Sequence, residues 1–175
     1  MTFNEISNIF PFKTNIFIDW LNVKANGGRQ LDYFKLTDVI REKGGIILRA
    51  NIYLPRPDNE KVRNFHSVMQ RAGLRLVYVE KTWARVNCDA LMAVDMVTQS
   101  RDVDAIFLLS NDSDFVPAVE YLQSIGKRVL LIHGDNPSND LRRAVDEWRH
   151  FEQLNLIRND EFNSAKINNR KGKEV

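Results

Sequence analysis

Short continuous apolar runs alternate along this chain with stretches whose apolar positions recur at helical spacing. "TNIFID" (14–19), "IILRANIYL" (46–54), "LRLVYVEK" (74–81), "AIFLLS" (105–110) and "KRVLLIHG" (127–134) read as strands. Between them, "LDYFKLTDVIREKGG" (31–45) has apolar residues at 31, 34, 36, 39 and 40 and ends on Gly44-Gly45, the signature of an amphipathic helix. "NEKVRNFHSVMQRAG" (59–73), "DALMAVDMVTQS" (89–100), "VPAVEYLQSIG" (116–126) and "SNDLRRAVDEWRHF" (138–151) read as four more helices. Pro55 and Pro57 break the second strand. Most strands are apolar on both faces. The pattern predicts an α/β fold with a mainly parallel, five-stranded sheet covered by helices on both sides.

Composition narrows this picture modestly. The 175 residues, 43% hydrophobic and 27% charged, suit one soluble domain over residues 1–157, followed by a polar basic tail over 158–175 without periodicity. That tail holds five basic and three acidic residues, so it carries the whole net charge of +2. Bulk charge therefore argues neither for nor against nucleic acid, and any electropositive surface must be local. No apolar run approaches the ~20 residues of a membrane span. The start, "MTFNEISNIFPF", has no basic n-region and carries Glu5, a poor signal peptide. Cys88 is the only cysteine, so no internal disulfide forms, and a cytoplasmic location is expected.

The candidate chemistry is acidic. In a parallel sheet of this kind, sites lie at the carboxyl ends of the strands. Asp19 ends the first strand, with Asn22 three residues on. Asp112 and Asp114 follow the fourth, in "LLSNDSDF", and Asp89 opens the helix after the third. Carboxylates converging on one rim raise one another's pKa unless a cation sits among them. An all-oxygen donor set suits a hard divalent ion such as Mg²⁺ or Mn²⁺. Each of these acids can also be read alone as a turn residue or a helix cap. Asp114 is placed to cap the next helix with Pro117 near its start, and Asp89 to cap its own. Capping does not require the caps to share one edge, which favours the joint reading. Asp95 lies six residues beyond Asp89, so its side chain points ~120° away and ~9 Å further down the helix. That spacing gives it a supporting role, paired with a basic neighbour.

"FIDWLNV", "NCDALMAVDMV" and "LLSNDSDFVPAVEYLQSIGKRVLLI" resemble the NYN domain family, in its LabA-like (DUF88) branch, among the PIN-like nucleases. The resemblance spans about residues 14–150. It implies a three-layer α/β/α fold and a metal-dependent ribonuclease site built from Asp19, Asp89, Asp112 and Asp114, with Asn22 in support. It also raises Asp95 to a candidate ligand, because that branch usually has Asp there. Two positions depart from the family: Trp20 and Asn111 stand where Gly is usual. Trp20 is expected to put an indole beside the site.

Such a site would hold one or two Mg²⁺ or Mn²⁺ ions, orient a water and hydrolyse RNA phosphodiester bonds. The histidines offer no competing metal-free mechanism. His66 and His150 fall within predicted helices and His133 ends a strand, so each reads as structural or exposed. An acidic rim repels phosphate, so basic and aromatic residues must flank it. Trp20, Arg29, Lys81, Trp83, Arg85, Arg142 and Arg143 are the candidates for gripping single-stranded or structured RNA. Lys127 and Arg149 read as solvated charges. No membrane partner is expected, and a homodimer is compatible with the pattern. One alternative is a nucleic-acid-binding regulatory module that keeps the acidic pocket without turnover. A Toprim-like domain fits less well, since it wants Glu where this chain has Asp19. A doubly wound nucleotide-binding protein fits less well again, since the glycines of "DWLNVKANGG" come too late for a phosphate loop.

Overall fold

A computed structural model describes residues 11–28, 31–79 and 88–157. The chain runs β1 (Phe12–Asp19), α1 (Trp20–Ala25), α2 (Tyr33–Glu42), β2 (Gly45–Pro55), α3 (Glu60–Arg71) and β3 (Arg75–Val79). It continues through α4 (Asp89–Thr98), β4 (Ala105–Leu109), α5 (Val116–Ser124), β5 (Arg128–His133), α6 (Asn139–Ala144) and β6 (Glu147–His150). Single 3₁₀ turns at Ser113–Phe115 and Phe151–Leu154 complete it.

All described strand pairs are parallel, and the sheet order is β3-β2-β1-β4-β5-β6. Strand polarity and pleat sort the core into two layers. Ile16, Ile18, Ile52, Leu54, Phe107 and Leu109 face α2 and α3, meeting Leu36, Ile40 and Met69. Phe17, Tyr53, Ile106, Leu108 and Leu131 point the other way, against Met92, Met96, Val119 and Leu122 of α4 and α5. Strands buried on both faces must be apolar throughout, and β4 is buried at every position.

From β1 the chain builds outward in one direction through β2 and β3. It then returns to add β4, β5 and β6 on the other side. The carboxyl ends of β1 and β4 thus flank the point where the strand order reverses, where open α/β sheets hold ligands. Asp19 shares the parity of Phe17, which aims it at the α4 layer. Among the described residues, no helix is long and apolar enough to cross a membrane.

The sheet has six strands where the pattern predicts five. The segment expected as one helix over 138–151 breaks after Ala144. Ser138 caps α6 through its hydroxyl, which accepts from the Leu141 N–H, and Val145 then turns to extended geometry. Residues 147–150 pair instead with the open edge of β5. Asp146 fixes that choice: its N–H donates to the Val129 carbonyl, and its Oδ2 accepts from the Val129 N–H at 2.8 Å and from Gln123 Nε2 at 3.1 Å. The backbone groups of the β5 edge need partners, and satisfying them outweighs a weak local helix preference. His150 and Arg149 consequently sit on a strand. The short helix α1 was likewise not announced by the pattern.

Candidate active site

Asp19 is nearly fully buried and ends β1 as the cap of α1: its Oδ1 accepts from the Asn22 N–H at 3.1 Å. The Ser110 hydroxyl donates to its Oδ2 at 3.4 Å, and the Cys88 thiol to its Oδ1 at 3.7 Å. Burial pushes the Asp19 carboxyl up to about 6, the Asn22 N–H opposes that rise, and the charge of Asp89 adds to it. Asp89 is the first residue of α4. Its carboxyl is also raised, by burial first and then by the charges of Asp112 and Asp114. Asp112 follows β4; its N–H donates to Ser110 Oγ at 3.2 Å and its Oδ1 accepts from the Asp114 N–H at 3.0 Å. Asp114 is the exposed member.

These side chains form two groups. Asp19, Cys88 and Asp89 each offer a ligand atom within 4.8 Å of the others, and so do Asp89, Asp112 and Asp114. Asp89 belongs to both groups. The second group is all oxygen and holds three carboxylates, a donor set that fits a hard divalent cation. The charges of Asp112 and Asp114 add to the burial that raises the Asp89 carboxyl, an electrostatic cost that a cation would relieve.

The capping alternatives divide. Asp19 caps α1 and Asp112 caps the 3₁₀ turn at 113–115. Asp114 does not cap α5, whose cap position is Phe115, with Pro117 the second helical residue. Nor does Asp89 cap α4. The cap position there is Cys88, and no side chain closes it.

Asn22 of α1 and Asn111 after β4 tie the segments of the rim together. Asn22 Oδ1 accepts from the Asn111 N–H at 2.8 Å and from Asn26 Nδ2 at 3.1 Å. Asn111 is buried; its amide group donates to the Asp135 carbonyl, its Oδ1 accepts from the Gly134 N–H at 3.0 Å, and its carbonyl accepts from the Ser138 N–H at 3.0 Å. Gly134 allows this closeness, since a Cβ there would lie 1.7 Å from the Asn26 carbonyl oxygen.

Asp95 lies outside both acidic groups. Its partner is the Tyr53 hydroxyl, which donates to Oδ2 at 2.6 Å, in place of the expected basic neighbour. Burial and that carboxylate push the Tyr53 phenol well above its ordinary pKa. Trp20 packs with Phe65, ring centroids 6.0 Å apart, against the α2–α3 core layer, and Lys24 Nζ stands 4.6 Å from its ring centre. Arg142 donates to Asn139 Oδ1 at 3.0 Å, and Arg143 forms an exposed pair with Asp140 at 3.8 Å. Arg29, Lys81, Trp83 and Arg85 lie outside the described residues. His66 and His133 are buried with lowered pKa values, burial being the main cause, and neither joins the acidic groups.

Ser110 and Cys88 were not singled out from the sequence. Both stand inside the quoted motifs, one residue before a candidate acid or one past a strand. Burial pushes the Cys88 thiol far up, with both neighbouring carboxylates adding to the effect, so it is a protonated donor here.

A doubly wound parallel sheet with an acidic rim at its switch point is consistent with a PIN-like fold. The chain belongs to the NYN domain family, whose model matches residues 13–152. The fold is also similar to the crystal structure of a protein of unknown function from Vibrio parahaemolyticus. The TM-score is 0.73 at 22% identity, over 82% of this chain and 95% of that one. No curated protein matches the chain.

Proposed function

We propose that this NYN domain protein is a metal-dependent endoribonuclease. The observation that carries the reading is Asp89, one carboxylate shared by two groups of ligand atoms at the reversal point of the sheet. Asp19, Asp89 and Asp112 would hold Mg²⁺ or Mn²⁺, with the Asp114 carboxylate beside them. A divalent ion there supplies Lewis acidity and an activated water at neutral pH. Asp19 is held in place by Asn22 and Ser110, and Asp112 by Ser110, so these two carboxylates are pre-oriented. Asp114, exposed and untied at its carboxylate by any described hydrogen bond, is the group free to accept the proton of the attacking water. In-line attack expels the 3′ oxygen without using the 2′-hydroxyl, leaving 5′-phosphate and 3′-hydroxyl ends.

Sequencing of RNA ends after incubation with the wild-type protein and Asp112→Asn, with and without Mn²⁺, tests this. Metal-dependent 5′-phosphate ends lost in Asp112→Asn support it. Cyclic 2′,3′-phosphate ends overturn the mechanism. Binding of RNA without any cleavage favours a regulatory module.

A further inference from the structure

At the outer edge of the sheet, a cavity of about 390 Å³ is lined by Arg142, Asp146, Glu147, Trp148, Arg149 and Gln153, among others. Trp148 lies on β6 and is 39% exposed, a large aromatic left in solvent on an edge strand. The Arg142 guanidinium carbon stands 4.9 Å from its ring centre, and His133 flanks the same ring at 5.4 Å. The local acids are already engaged. Asp146 accepts two hydrogen bonds from Val129 and Gln123, and Glu147 pairs with Arg149. Among the described residues Arg142 has no carboxylate partner, and its buried Nε has no hydrogen-bond acceptor. An unneutralised guanidinium stacked on a half-exposed indole calls for a ligand that is both planar and anionic.

The place of this pair in the fold says which ligand. The Ser138 N–H, at the head of α6, donates to the Asn111 carbonyl, directly beside Asp112. Arg142 is one helical turn further on, about 6 Å along the axis. β6 lies two strand spacings from β4, about 10 Å. A nucleic-acid strand whose scissile phosphate sits at the acids can reach this pair with a neighbouring nucleotide.

We propose that Arg142 and Trp148 form a nucleotide subsite for single-stranded RNA: the base stacks on the exposed part of the pair, and the guanidinium edge takes the adjoining phosphate. The proposal rests on the ribonuclease reading. It supplies positive charge from described residues and sets a direction for the strand, from the switch point toward β6.

Fluorescence anisotropy on the full-length Asp112→Asn protein with Mn²⁺ tests it, using labelled RNA as a dinucleotide and as an oligonucleotide long enough to span both places. Affinity should rise with length. Adding Trp148→Ala should remove about tenfold of that gain, the size of one lost base–aromatic stack, and Trp148→Phe should retain most of it. Arg142→Gln, which removes the guanidinium charge and leaves the indole in place, should also shrink the gain and flatten its salt dependence. If Trp148→Ala fails to fold, Trp148→Leu and Arg142→Gln carry the comparison. A gain with length that survives both the Trp148 and Arg142 changes overturns the subsite while leaving the ribonuclease reading intact. Failure of Asp112→Asn and of the wild-type protein to bind RNA of either length overturns both together.

Discussion

The Asn111 N–H donates to Asn22 Oδ1 at 2.8 Å, joining the loop after β4 to helix α1 across 89 residues of chain. Asn111 also holds Gly134, Asp135 and Ser138, so one buried side chain and its backbone clamp the ends of β1, β4 and β5. Asn22 at the same time presents its N–H to Asp19. The residue that departs from the usual glycine is therefore a structural clamp, set immediately before Asp112.

Asn111→Ala is expected to leave the buried Gly134 N–H without its partner and to free the Asp135 carbonyl. Its cost should be about 1–3 kcal/mol, the penalty for stranding buried polar groups. Urea unfolding of the two proteins measures it. A change within error would mean that the loops repack around the gap.

Acidity should tune the metal-free protein through Asp19. Its carboxyl is raised from 3.8 to about 6 in the folded state. The folded state therefore holds the proton more tightly than the unfolded chain. The contribution of Asp19 to stability is greatest below pH 3.8 and is lost as pH rises toward about 6, above which it is flat. Thermal melts in chelator across that window should show this decline superimposed on the other titrations, and Asp19→Asn should remove it. Because the proton and a cation compete, Mn²⁺ binding by calorimetry should strengthen over the same window and release protons at its lower end.

Asp89 and Asp95 should behave oppositely on substitution. Asp89→Asn is expected to abolish cleavage and to leave the fold intact, with a melting temperature close to that of the wild-type protein. Asp95→Asn weakens the bond from the Tyr53 hydroxyl, so it should lower stability by about 1 kcal/mol and keep measurable cleavage. Loss of cleavage in Asp95→Asn at an unchanged melting temperature would place Asp95 in the metal shell after all.

Trp20 makes contacts of a packing residue. Trp20→Ala removes its stack on Phe65 and part of the α2–α3 layer, with an expected cost of about 2–3 kcal/mol given its half-buried state. A melting temperature close to wild type, together with weaker RNA binding, would instead put the indole at the substrate.

Much of the fold was legible in the pattern because β1 to β5 are local statements. An interior parallel strand is apolar on both faces, and its helices show their stripe and their glycine stops. β6 was not legible. Four residues of mixed character at a sheet edge have no period of their own, and what makes them a strand is the row of unpaired backbone groups on β5. The partner of Asp95 was hidden for a similar reason. Tyr53 reads as one more strand residue until β2 is laid beside β1, where it falls opposite Asp19 and under α4.

The sequence by itself determined that acids stand at strand ends: Asp19, Asp112 and Asp114 each follow an apolar run, and Asp89 opens a helical one. Only the tertiary structure decided that Asp89 is shared between two donor groups, that Ser110 and Cys88 stand under the acids, and that Asn111 clamps three loops. Those outcomes depend on strand order and on the parity of each side chain. Both are set by long-range pairing, in which strands distant in sequence become neighbours, and no local spacing encodes a distance across the sheet.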